Sequence, residues 1–416
     1  MAGFSILFLI VLGFGLFLEY WLIWRQSGYV ASHSKQVPGA FTQKISLAEH
    51  QKAADYTLAK LSVQKVGLSV SAALLLIWTL GGGLDALDGL WQATQWPLLW
   101  QGVGLILSLL LISALLDLPL GLWSTFGVEA RFGFNRTTGK RFATDLLLQL
   151  GLLLLIGLPL VTLVLWLMQQ AGSYWWLWVW LVWMGFILFI SWAYPVLIAP
   201  LFNKFEALEN EELRSRLEAL LVRCGFRSDG MFVMDGSKRS AHGNAYFTGF
   251  GRNKRIVFFD TLLKGLEAEE VEAVLAHELG HFKHKHVPKM MLATAVLSLL
   301  GLALLGWLMT QSWFFAGLGV TRQTPALGLI LFLLVIPVFS VFLTPVMSAL
   351  SRRHEFQADE YAAVNSNGNA LMNGLVKMYK DNASTLTPDP IYSAFHHSHP
   401  PASVRIAHLS SIIARS

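Results

Sequence analysis

One cysteine, Cys224, stands in 416 residues. A lone thiol excludes an internal disulfide framework and any thiolate metal site, so a metal held by this chain must rest on His, Asp or Glu. Charge is scarce too: Asp, Glu, Lys and Arg make up 14% of the residues, against 54% hydrophobic ones. That ratio excludes an ordinary soluble domain and points to a polytopic membrane protein. Internal repeats and low-complexity tracts are also lacking. The formal net charge of +5 would suggest nucleic acid in a soluble protein. In a chain this apolar, basic loops beside membrane spans account for it, and nucleic-acid binding is set aside.

A spanning helix needs roughly 20 apolar residues. Seven stretches qualify, at about 4–24, 67–90, 98–123, 143–170, 174–199, 289–312 and 326–349. The first meets its first positive charge at Arg25, beyond its end, and reads as a retained anchor with its N-terminus outside. The loop after it carries Arg25, Lys35, Lys44, Lys52, Lys60 and Lys65; the loop between spans three and four carries Arg131, Arg136, Lys140 and Arg141. The alternate loops hold Asp85, Asp88 and the single basic residue Arg322. The positive-inside rule therefore puts both basic loops (25–66 and 124–142), residues 200–288 and the tail from 350 to 416 on the cytosolic side. The expected organisation is five spans within residues 1–199, a cytosolic catalytic segment at 200–288, two further spans at 289–349 and a cytosolic tail at 350–416. Trp and Tyr cluster near span ends, as in YWWLWVW at 174–180, and read as an interfacial belt. Asp117 lies deep in the third span, either hydrated or facing an aqueous interior.

Chemistry concentrates in AHELGHFKHKH, residues 276–286. Positions i and i+4 share a helix face, so His277 and His281 can aim two ring nitrogens at one ion, while Glu278 reaches a ligand of that ion. This is HExxH geometry for one zinc ion, with Glu278 as the base that takes a proton from water. The frame VEAVLAHELGHF has helical period, with Leu275 and Leu279 packing. Two imidazoles leave a tetrahedral ion short of a protein ligand. The metzincin extension is absent, since its glycine and histidine positions hold His284 and Val287. The tail supplies SRRHEFQADEYAA at 351–363, where Glu355 and Asp359 share a face and Glu360 points away. Glu355 is read as third ligand and Asp359 as an acceptor orienting a ligand imidazole. His281 precedes the sixth span by eight residues, about 12 Å of helix, and Glu355 follows the seventh by six. Both halves of the site are thus tied to one membrane surface, which suits a substrate arriving on or in the bilayer. His284 and His286 with Lys283, Lys285 and Lys289 read as a cationic turn facing lipid headgroups.

Residues 244–260, NAYFTGFGRNKRIVFFD, read as a β-hairpin. An extended peptide can add itself to such an edge, which makes Asn244, Ala245 and Tyr246 candidate substrate contacts. A hairpin that merely packs on the metal helix fits the same residues. Further on, FHHSHPPASVRI at 395–406 gathers three histidines and an arginine, any of which could donate to the oxyanion of a tetrahedral intermediate; spacing does not choose among them.

Taken together, the chain resembles the integral-membrane CAAX prenyl endopeptidase family of gluzincin metallopeptidases. The resemblance rests on FGVEARFGFNRTT at 126–138, APLFNKFEAL at 199–208, GNAYFTGFGRNKRIVFFDTLL at 243–263, HELGH, RRHEFQADEYA and HSHPP, in order along almost the whole chain. It implies a mainly α-helical fold of seven spans around a chamber, with a zincin-like domain carrying a small β-hairpin or sheet. It further implies zinc on His277, His281 and Glu355, Glu278 as catalytic base, and Asp359 behind a ligand. Asn244 would lie along the substrate edge, and His399 with Arg405 would contact substrate or oxyanion. Family members remove the last three residues of prenylated CAAX peptides. The compact chain, with about a dozen residues between spans six and seven, and its SIIARS end suit a member in a bacterial inner membrane; a eukaryotic member would sit in the endoplasmic reticulum. In a bacterium, quality control of membrane or misfolded proteins is the alternative. A metal-regulated transporter or channel would need ionisable groups inside several spans, and Asp117 is the main one.

Overall fold

The structure, a computed structural model, describes residues 2–228, 230–248 and 255–415. Among these, seven helices are long and apolar enough to cross a membrane: Gly3–His33, Leu47–Trp78, Leu98–Glu129, Gly139–Gln170, Gly172–Phe202, His286–Leu308 and Pro325–Asn365. The second departs from the stretch expected at 67–90. It starts twenty residues earlier, at a capping box in which Ser46 and Glu49 exchange hydrogen bonds, and stops at Trp78. Gly82 then adopts a left-handed φ of 77° and opens a separate helix, Gly83–Ala93; glycine takes that conformation at little steric cost. The sixth span ends at Leu308, before the expected 312. The seventh runs on through a tight turn at Val341–Leu343 into the helix Thr344–Asn365, so the tail motif stays on the spine of the span.

Two apolar cores close the two ends of the molecule. One joins Phe8, Leu12, Leu105, Phe314, Phe315 and Leu327. At this end Arg322 pairs with Asp88 at 2.9 Å and the Thr321 amide donates to Asp85, which brings the sparsely charged loops together. The other core packs a small sheet against two helices, through Leu217, Leu220, Phe258, Leu275 and Leu279. Here the first basic loop meets the tail, Arg25 pairing with Asp389 and Glu49 with Lys380, and Arg239 pairs with Asp145 at the start of the fourth span. Between the cores the fourth span has no buried side chain from Gly139 to Gly157. Beyond Gly157 the same span buries Leu165 and Met168, so its second half is the part that packs against its neighbours.

The sheet has four strands, β1 (Phe205–Ala207), β2 (Met231–Met234), β3 (Ala245–Thr248) and β4 (Arg255–Phe259), in the order β1-β2-β4-β3. β2 and β4 are parallel; the outer pairs are antiparallel. The expected hairpin is present as β3 and β4, but shorter: Asp260 already belongs to a helix, and the connection at 249–254 lies outside the described residues. β3 is a free edge.

Candidate metal and peptide site

The HELGH helix, Ala268–Lys283, begins where Glu267 and Glu270 cap each other reciprocally. Leu275 and Leu279 are fully buried, worth about 2 kcal/mol each, and fix which face turns inward. Opposite lies the helix Thr344–Asn365. The two approach so closely at Gly280 that a Cβ there would sit 2.8 Å from the Cα of Ala358. That contact sets Glu355 across from the two histidines.

The donor atoms converge. His277 Nε2 and His281 Nε2 are 3.3 Å apart, and each lies 3.5 Å from a Glu355 oxygen; among the described residues these three side chains form the one group able to hold a metal ion. Ligands about 2.0–2.1 Å from a tetrahedral zinc stand roughly 3.3 Å from one another, so the spacing fits. Burial and the Arg405 guanidinium oppose a charged His277 ring, yet Asp359 and Glu355 outweigh them and hold it up at about 9. The carboxylates thus favour positive charge at this spot, as a divalent cation supplies. Burial and the neighbouring His277 push His281 down to about 4. His399 Nδ1 lies 2.7 Å and Arg405 Nη1 3.7 Å from Glu355 Oε2; against the opposing effect of burial, His277, His399 and Arg405 hold that carboxyl well below the usual carboxylate range.

Around this group the remaining candidates take distinct places. Asp359 is fully buried, accepts from His277 Nδ1 at 2.9 Å, and is gripped by both arms of Arg405 at 2.7 Å. Arg405 is itself buried; besides Asp359, its guanidinium lies 3.1 and 3.2 Å from the two His277 ring nitrogens and 3.7 Å from Glu355 Oε2. His399 is exposed beside Glu355. Glu278 makes no hydrogen bond or ion pair among the described residues, and burial, reinforced by Glu355 against the opposing His277, pushes its carboxyl up. Glu360 is exposed, as its position on the helix requires.

His286 corrects the reading of the cationic turn. It is 2% exposed, not facing headgroups, and its Nδ1 lies 3.0 Å from Nδ1 of His281. Its Nε2 lies 2.9 Å from Gln357 Oε1, and its ring stacks on His354 at 3.9 Å. If His281 is to offer Nε2 to a metal it must carry its proton on Nδ1, so His286 Nδ1 is the acceptor and His286 Nε2–H donates to Gln357. No periodicity could mark His286. Lys285 adopts a left-handed φ of 55°, which ends one helix, starts the next and folds residue 286 back onto the ligand.

The free edge lies beside this group. The Asn244 carbonyl accepts from the Phe259 amide. By the alternation of antiparallel ladders, residues 244 and 246 therefore face β4, while 245 and 247 turn their backbone groups outward. The outward Ala245 amide is held by Asn244 Oδ1 at 2.9 Å. The Phe247 ring packs at a tilt against Phe282 of the HELGH helix, centroids 4.3 Å apart, and Tyr246 occupies the opposite face of the strand.

Seven apolar helices joined to a His–His–Glu group with a free carboxylate define a membrane metalloendopeptidase. The chain belongs to peptidase family M48, whose model matches residues 207–413, while a model described as CAAX prenyl protease N-terminal, five membrane helices, matches residues 26–204. It is 38% identical to CAAX prenyl protease 1 homolog of Arabidopsis thaliana, covering 71% of this chain and 70% of the relative. It is 32% identical to the Homo sapiens homolog, covering 81% and 78%. The crystal structure of S. mikatae Ste24p superposes with a TM-score of 0.92 at 30% identity, covering 98% of this chain and 99% of that one.

Proposed function

We propose that this protein is a zinc endopeptidase that removes the C-terminal residues of prenylated CAAX-type peptides at the cytosolic face of its membrane. The observation carrying this reading is the convergence of His277, His281 and Glu355 at tetrahedral spacing on a chain that matches CAAX prenyl proteases over most of its length. The basic loops gather at the end that holds this group, which supports a cytosolic site by the positive-inside rule. Zinc, favoured by three N/O ligands with one position open, supplies Lewis acidity to the scissile carbonyl and to the attacking water.

Glu278 takes the proton of that water as its oxygen attacks the carbonyl carbon, and returns it to the amine as the C–N bond breaks. His399 donates to the developing oxyanion. Asp359 fixes the His277 tautomer, and Arg405 holds Asp359 while also bearing directly on His277 and Glu355. The substrate adds to β3 through Ala245, where its carbonyl replaces Asn244 Oδ1 on the amide, with Tyr246 beside it. The bilayer delivers the prenyl group laterally.

Glu278→Gln tests the reading. The variant is expected to bind zinc as the parent does and to lose cleavage of a farnesylated CAAX peptide, followed by mass spectrometry of the products, by at least 1,000-fold, more than the ~10²–10⁴ of proton transfer alone would allow at its lower end. Turnover at the parental rate would refute it.

A further inference from the structure

A cavity of about 400 Å³ with mixed polar and apolar walls adjoins the site, lined by His399 at one side and by Lys60, Gln64, Ser384 and Thr385 elsewhere. None of the described residues lining it is Asp or Glu. Of the carboxylates around it, Glu355 lies beside His399, Glu129 is engaged by Tyr56 and His242, and Glu19 by His396. His397 carries no charge at neutral pH, since burial pushes it down to about 4. Lys60 is the fixed cation of the cavity. Its ammonium lies 4.7 Å from the centre of the Tyr56 ring and, among the described residues, pairs with no carboxylate, so it is available to an anion.

The direction of the peptide leads to it. A substrate pairing antiparallel with β3 runs its C-terminus toward the N-terminal end of that strand, past Asn244 and Gly243. Gly243 is held there by Asn382, which accepts from its amide at 3.0 Å and also lines the cavity. Three residues beyond the cut span about 10 Å in extended form. The cavity volume falls within the roughly 300–1,000 Å³ of ligand clefts, and Leu61, Tyr379 and Tyr392 supply apolar wall for aliphatic side chains.

We propose that this cavity is the receptor for the substrate's free C-terminal carboxylate, with Lys60 as its counter-ion, so that the enzyme measures its cut from the chain end. The inference rests on the CAAX reading above and adds to it the group that sets the position of cleavage. A carboxylate bound over Lys60, which is exposed in the unliganded protein, forms a charge-assisted pair once substrate covers it, and its loss is expected to cost on the order of 10- to 100-fold.

The test uses the full-length zinc enzyme in nanodiscs and one farnesylated CAAX peptide in two forms, the free acid and the C-terminal carboxamide, with kcat/KM measured for each. The parent is expected to prefer the acid by about 10- to 100-fold. Lys60→Met should bring the acid-to-amide ratio toward one, and Lys60→Arg should keep most of the preference. The ratio serves as its own control for folding, since a damaged protein loses both activities together. A parental ratio near one, or a preference untouched by Lys60→Met, overturns the carboxylate receptor and leaves the CAAX reading intact. If neither form is cut while an unprenylated casein-type substrate is, the CAAX reading itself fails and takes the receptor with it.

Discussion

Replacing His286 by Phe probes the metal centre without touching a ligand. The ring keeps its stack on His354 at 3.9 Å and its buried place, but the acceptor facing His281 Nδ1, 3.0 Å away, is lost. His281 then holds a buried N–H without a partner, which costs about 1–3 kcal/mol, and nothing selects the tautomer that offers Nε2 to zinc. Groups behind metal-binding imidazoles are worth about 10–100-fold in affinity or activity, roughly 1.4–2.7 kcal/mol on a scale of 1.36 per decade, in accord with the hydrogen-bond figure. Competition with a chelator of known zinc affinity measures the loss directly, independent of turnover. His286→Asn places an amide oxygen close to where Nδ1 stood and is expected to recover most of the affinity. A His286→Phe protein binding zinc within twofold of the parent would show that His281 needs no acceptor.

Two other perturbations separate holding the metal from holding the peptide. Asp359→Asn leaves the Arg405 guanidinium buried beside a neutral amide; breaking such a pair costs about 3–5 kcal/mol, so a lower thermal midpoint in detergent should accompany weaker zinc binding, and an unchanged midpoint would refute the coupling. Ala245→Pro deletes the one amide that turns outward at the start of β3 while leaving the ladder to β4 intact, since edge positions tolerate proline. It should raise KM several-fold with zinc affinity unchanged, and an unaltered KM would show that the peptide docks elsewhere.

What could be read in the sequence follows from how each feature is encoded. His277, His281, Glu355 and Asp359 were legible because each pair sits four apart on one helix, where spacing dictates a shared face. The seven spans were legible because the bilayer demands length and apolarity. The boundary at Trp78 was not, because the apolar run continues through Thr79 and Leu80, and what breaks the helix is the glycine triplet that follows, with Gly82 left-handed.

His286 and Lys60 share the opposite origin. Each sits in a run of basic residues whose composition announces only a membrane-facing surface, and each is given its part by a partner far off in sequence: Gln357 for the first, the 379–402 segment for the second. The consequence for the centre is an asymmetry between its two imidazoles. His277 leans on a carboxylate, Asp359, whose charge Arg405 partly cancels, whereas His281 leans on a neutral ring. Full anionic partners behind both imidazoles would raise ligand basicity and soften the Lewis acidity of the cation. With one partner countered and the other uncharged, a cation held by these side chains would meet full negative charge only at Glu355, itself 3.7 Å from the Arg405 guanidinium, and would keep its electrophilic character.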